Sequence, residues 1–185
     1  MPLCLMMLRC WSLTECNMPS GRILFAIHHG TYVLKFVGEV RAPMCATLDN
    51  FLERMFGDGE ISSILIDLTQ TDYIDSTALG LIAKTAVFLQ MHNQRKPIIL
   101  STNEDITRLL ESMGFDQVFI ILACECEEKC IDELPEVEPS EQEMMQKVIS
   151  AHRVLMGLSE QNQETFKNLV ETLEQEQQRQ GEDRI

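Results

Sequence analysis

The chain has 185 residues, 45% of them hydrophobic, and a formal charge of −14 at neutral pH. A chain of this length can bury one ordinary core and carry an appendage. Its acidity argues against direct nucleic-acid binding, because displacing counterions from a phosphate backbone needs clustered Lys and Arg.

Residues 1–20 read as an N-terminal extension outside the fold. The Met-, Leu- and Cys-rich run from Met1 to Asn17 is interrupted by Arg9 and falls short of the roughly 20 apolar residues that span a bilayer. It also lacks the basic start and small-residue cleavage site of a secretory peptide. Met18 is the expected native start, leading directly into the first strand.

The domain proper is expected over 21–123. Arg22–His29 and Thr31–Val37 are β-type runs broken by Gly30, with His28 and His29 read as turn residues, which predicts a hairpin. From Ala42 to Phe56, Met44, Leu48, Phe51, Leu52 and Met55 recur at helical spacing, with Pro43 in the first turn. Gly57 and Gly59 stop that helix. Ser62–Leu68 is an apolar strand of the kind parallel sheets bury on both faces. A helix follows over about Ser76–His92, and Pro97–Ser101 is a short buried strand. Asn103 opens another helix, stopped by Gly114, and Val118–Leu122 closes the sheet. Strands alternating with helices predict an α/β fold.

Beyond this region the character changes. Nine acidic residues between Glu125 and Glu143 face one Lys, and Pro135 and Pro139 mark 124–140 as an acidic linker. Ser140 and Glu143 have capping-box spacing, so 141–178 is expected to be helical. One apolar stripe comprises Met144, Val148, Ala151, Leu155 and Leu158; a second comprises Phe166, Leu169, Val170 and Leu173. Gly157-Leu-Ser159 divides them into a helical pair. The polar end, 179–185, is expected to fray.

Chemistry concentrates in Ile66-Asp-Leu-Thr-Gln-Thr-Asp-Tyr-Ile-Asp-Ser-Thr-Ala-Leu-Gly, where a buried strand runs into a short loop that ends in hydroxyl residues, Ser76 and Thr77, immediately before a helix. This Asp-Ser-Thr-Ala-Leu-Gly arrangement resembles the signature of the STAS family, in particular the bacterial anti-sigma factor antagonists, whose common form is Asp-Ser-Ser/Thr-Gly-Leu-Gly. The resemblance covers about 22–122, and Ala78 stands where the family usually has Gly. It implies a mixed, mostly parallel sheet with helices, to which this chain adds a C-terminal helical extension. It also implies that a partner kinase phosphorylates Ser76, with Thr77 the lesser acceptor, and that a metal-dependent phosphatase of the PP2C type reverses the modification. The unphosphorylated form would bind an anti-sigma factor or serine kinase and so free a sigma factor. Similar proteins with such extensions act in motility and biofilm regulation.

Phosphate adds about −1.5 to −2 charges beside Asp72 and Asp75, so it should repel a partner. Thr77, Leu81, Lys84, Thr85 and Phe88 lie opposite the helix stripe of Leu79, Ile82, Ala83 and Ala86 that faces the sheet. Asp72, Asp75, Thr77, Leu81, Lys84 and Phe88 are therefore candidate partner-binding residues, and the C-terminal helices are the alternative cover for Leu81 and Phe88.

Other residues carry blander readings. Cys124, Cys126 and Cys130 lack paired CxxC spacing and a nearby His, so they read as reduced thiols rather than a metal site. Asp67 and Asp72 are read as solvated acids, since no accompanying constellation assigns them a reaction. The expectation is a cytoplasmic, non-enzymatic switch without cofactor, metal or membrane insertion. Two further readings stand beside it: a cytoplasmic STAS subunit of a membrane transporter, such as a lipid-trafficking ABC system, and a homodimer formed through the C-terminal helices.

Overall fold

The structure, a computed structural model, describes residues 21–57, 61–92, 95–125, 132–135 and 137–182. The expected N-terminal extension, Cys126 and Cys130 lie outside these residues. Strand β1 (Arg22–His28) forms an antiparallel hairpin with β2 (Thr31–Val40). Its two-residue turn has both backbones in the left-handed region, His29 at φ 46° and Gly30 at φ 77°. Such a turn matches the strand twist, and Gly30 adopts it without a steric penalty.

Helix α1 (Ala42–Gly57) then leads to β3 (Ser63–Ile74), α2 (Ser76–His92) and β4 (Ile98–Leu100). Next come α3 (Glu104–Ser112), a single helical turn α4 (Phe115–Val118) and β5 (Ile120–Leu122). Strands β2, β3, β4 and β5 pair in parallel, giving a mixed sheet of order β5-β4-β3-β2-β1-β6. The core is apolar, with Leu34, Phe36, Ile66 and Leu68 on the strands packed with Leu48, Leu52, Leu79 and Ile82 on the helices.

The structure departs from the sequence reading in three places, besides Val118, which closes the helical turn α4 instead of opening the last strand. Strand β3 does not end near Leu68 but continues to Ile74. Its polar half pairs with β2 across two register shifts, at Lys35/Val37 and Gly38/Glu39. Asp67 is not solvated: it is 1% exposed, 3.1 Å from Lys35 Nζ, and accepts hydrogen bonds from the Thr69 amide and hydroxyl. Such partners are what a carboxylate needs to remain inside a fold.

The third departure lies in the acidic linker, where β6 (Asp132–Glu133) adds an antiparallel edge to β1. The Leu134 amide bonds Ile23 O at 2.9 Å, and Thr47 Oγ1 donates to Pro135 O and accepts from the Val137 amide. These bonds fasten the chain to the domain before it enters α5 (Glu141–Met156). The expected capping box is formed, with Ser140 and Glu143 bonding reciprocally. Hydrogen bonds from the Ser140 amide and then its hydroxyl hold the Glu143 carboxyl below its ordinary pKa. After the turn at Gly157–Ser159, α6 (Glu160–Glu182) runs back along α5. Asn162 Nδ2 donates to Leu155 O and Met113 O, joining that turn to the end of α3.

Candidate functional site

The loop between β3 and α2 is one residue, Asp75, and that residue organises both neighbouring helix starts. Its Oδ1 accepts from the Ala78 amide at 2.9 Å and caps α2; its Oδ2 accepts from the Ala42 amide at the start of α1. The Asp75 amide in turn bonds Val40 O at 3.1 Å. A side-chain acceptor is what the unpaired amides of a helix start require. Asp75, expected among the partner-binding residues, therefore has both carboxylate oxygens engaged within the domain.

Ser76 opens α2 and is half-buried. Its Oγ lies 2.9 Å from Nε2 of His152 on α5, and Nδ1 of that ring lies 2.8 Å from Val148 O. A carbonyl can only accept, so Nδ1 donates to Val148 and, in the neutral ring, Nε2 accepts the Ser76 hydroxyl proton. His152 is 2% exposed, and Phe166 of α6 meets it edge-on with ring centroids 5.0 Å apart. Among the described residues, no group of three or more His, Cys, Asp or Glu could hold a metal ion.

Helix α5 lies along the outer face of α2. Three pairings run in opposite directions on the two helices: Lys84 and Lys147 share Asp49, Gly80 faces Ala151, and Ser76 meets His152. Close approach at the middle pair depends on a missing side chain, since a Cβ at Gly80 would sit 2.3 Å from Ala151 O and 2.7 Å from Ala151 Cβ. At the first pair, Asp49 of α1 is 4% exposed and accepts from Lys84 Nζ at 2.7 Å and Lys147 Nζ at 2.8 Å. Burial alone would raise the Asp49 pKa, but hydrogen bonds from Lys147 and Lys84 outweigh it and hold the carboxyl below its ordinary value.

The structure places the remaining predicted site residues unevenly. Thr77 and Leu81 are 5% and 0% exposed, and Lys84 is paired with Asp49. Phe88 is half-buried, its ring stacked at 4.1 Å on both Phe56 and His92. Asp72 is exposed. Leu81 and Phe88 are thus packed under other elements in this conformation. The sequence reading offers the C-terminal helices as the alternative cover for both; Phe88 instead stacks on Phe56 of α1 and His92 of its own helix.

Sequence reasoning missed His152, Lys147, Asp49 and Gly80. Ala151 lay on the predicted apolar stripe of α5, so the contact face was visible there. Nothing in the spacing of Lys147 or His152 indicated that α2 was the helix it would cover.

The STAS-domain family matches residues 22–132, which end where β6 begins. Among solved structures, the unphosphorylated form of the anti-sigma factor antagonist SpoIIAA is 13% identical, covering 56% of this chain and 89% of its own, at TM-score 0.48. An anti-sigma factor antagonist from Mycobacterium paratuberculosis is 19% identical over 57% of this chain and 87% of its own, at TM-score 0.49. The phosphorylated form of the Bacillus cell fate determinant SpoIIAA is 14% identical over 55% and 91%, at TM-score 0.47. No curated protein sequence matches the chain. From the Asp-Ser-Thr motif at the start of α2, the mixed sheet that carries it and the match over most of the sequence, the chain belongs to the STAS-domain family.

Proposed function

We propose that this chain is a phosphorylation-controlled anti-sigma factor antagonist, a cytoplasmic binding switch rather than an enzyme. The observation that carries the reading is the position of Ser76: a hydroxyl on the first turn of α2, at the end of the central strand, in a STAS domain whose motif supplies the Asp before it. Unphosphorylated, the chain binds an anti-sigma factor or serine kinase and so releases a sigma factor. Phosphorylation of Ser76 blocks that binding, and a PP2C-type phosphatase restores it.

The physical support is local. A helix start tolerates an anionic group through its amides and partial positive charge. Asp75 holds the β3–α2 junction from both sides, so a phosphoryl group can be added on a rigid mount. Its charge of about −1.5 to −2 would stand beside Asp75 and near exposed Asp72, making the surface repulsive to an acidic or apolar partner. Losing one docked charged contact costs about 2–5 kcal/mol, on the order of a 30- to several-thousand-fold change in affinity. Among the described residues no helix is long and apolar enough to cross a membrane.

The test compares partner capture by the parent, Ser76→Ala and Ser76→Asp chains, together with intact mass in cells. Expected are an increment of about 80 Da at Ser76, partner capture by Ser76→Ala, and loss of capture by Ser76→Asp. Equal recovery by both variants would refute the switch. Retention on membranes with an ATPase would instead identify a transporter subunit.

A further inference from the structure

We propose that the α5–α6 hairpin is an intramolecular gate on Ser76: α5 occupies the face of α2 that surrounds this hydroxyl, and Ser76 becomes accessible when the hairpin lifts from α2. The proposal rests on Ser76 being the residue through which the switch acts, and it names how that site is regulated.

The contact is built for a helix. Gly80 presents bare backbone to Ala151, the place of closest approach. On one side of it, the Ser76 hydroxyl is engaged by His152. On the other, Lys147 crosses from α5 to Asp49, which also holds Lys84 of α2. Between these points Thr77 and Leu81 are buried. A kinase needs the Ser76 oxygen free and room for an incoming phosphoryl group beside it. With His152 2.9 Å away and itself 2% exposed, α5 fills the space on that side of the half-buried hydroxyl.

The attachment also contains the means of release. Its polar and charged contacts can exchange for competing polar groups, whereas Ala151 and Leu155 of α5 and Phe166 of α6 are buried with the core of the domain, so lifting the hairpin bares apolar surface that a docked partner would have to cover. Separate bonds fasten the domain side of the hairpin, with Thr47 holding Pro135 and Val137 and β6 holding β1. Lifting α5 therefore need not unravel the sheet. A partner helix seated on α2 would occupy the same face, so α5 competes with it directly.

Accessibility at position 76 can be read without a kinase, using Ser76→Cys in the full chain and iodoacetamide as the probe. Peptide mass mapping separates alkylation at residue 76 from that at the native cysteines. Two added substitutions weaken the gate from opposite sides. Gly80→Ala places a methyl group against the Ala151 backbone; Lys147→Glu puts like charge beside Asp49, one and a half helical turns from His152 and clear of Ser76. Each is expected to speed alkylation at residue 76 at least tenfold, while amides of β2 and β3 retain their protection from hydrogen exchange. Rates within threefold of the Ser76→Cys parent for both variants would overturn the gate, as would a parent rate equal to that of the exposed Cys124. The assay reports on α5 whether or not Ser76 is phosphorylated in cells, so failure of the gate and failure of the phosphorylation switch are separately visible.

Discussion

Replacing Asp49 by Asn tests the electrostatic attachment of α5 most directly. The amide preserves volume but removes the charge that Lys84 and Lys147 share, leaving two ammonium groups facing each other near a buried site. Removing one partner of a fully buried ion pair costs about 3–5 kcal/mol. Here the lysine side chains are 20% and 16% exposed and can turn toward water, which places the expected loss at about 2–3 kcal/mol at neutral pH. The pH dependence follows from the lowered Asp49 pKa. Its stabilisation is fully present above the unfolded value of about 3.9 and is lost as pH falls through the lower folded value. Urea unfolding of parent and Asp49→Asn chains should therefore show a constant gap from neutral pH down to about pH 5, narrowing below about pH 4 as the parent carboxylate protonates. A gap under about 0.5 kcal/mol at neutral pH, the level of an exposed surface pair, would refute the reasoning. So would a gap that widens with acid.

Two further substitutions probe the mount of the site and the hairpin at the far end of β1. Asp75→Ala removes the acceptor for amides at the starts of both α1 and α2; each cap is worth about 1 kcal/mol, so a loss of about 2–3 kcal/mol is expected, with faster hydrogen exchange at Ala42 and Ala78, and unchanged exchange at both amides would contradict the capping role. His29→Asn replaces a residue at positive φ by one that tolerates the left-handed region. It should raise stability by about 0.5–1 kcal/mol in urea unfolding, part of the roughly 1–2 kcal/mol that the left-handed region costs an ordinary residue, and a loss would show that the His29 side chain contributes more than its backbone conformation costs.

Local signals reported the elements well where side-chain pattern and backbone requirement coincide. The β1–β2 hairpin was legible because Gly30 supplies a positive φ between two β-rich runs, and the Ser140–Glu143 box because its bonds join residues three apart. The break at Gly157–Ser159 was legible for the same local reason. Strand β3 was read short because Thr69–Ile74 is polar and lacks a clean alternation, while its continuation depends on irregular pairing with β2. Strand β6 left no trace in the acidic segment, since two residues paired through their backbones impose no side-chain pattern. Asp67 was misread because its burial depends on Lys35, which lies on the neighbouring strand.

The order of the longer strands and helices, the Asp-Ser-Thr motif and its place at a helix start followed from sequence alone, because turn chemistry, periodicity and capping act over a few residues. Tertiary structure alone decided that α5 lies on α2, that Gly80 meets Ala151, and that His152 reaches Ser76. Those pairings join residues about 70 positions apart, and an amphipathic stripe specifies that a face will be buried without specifying which apolar surface buries it.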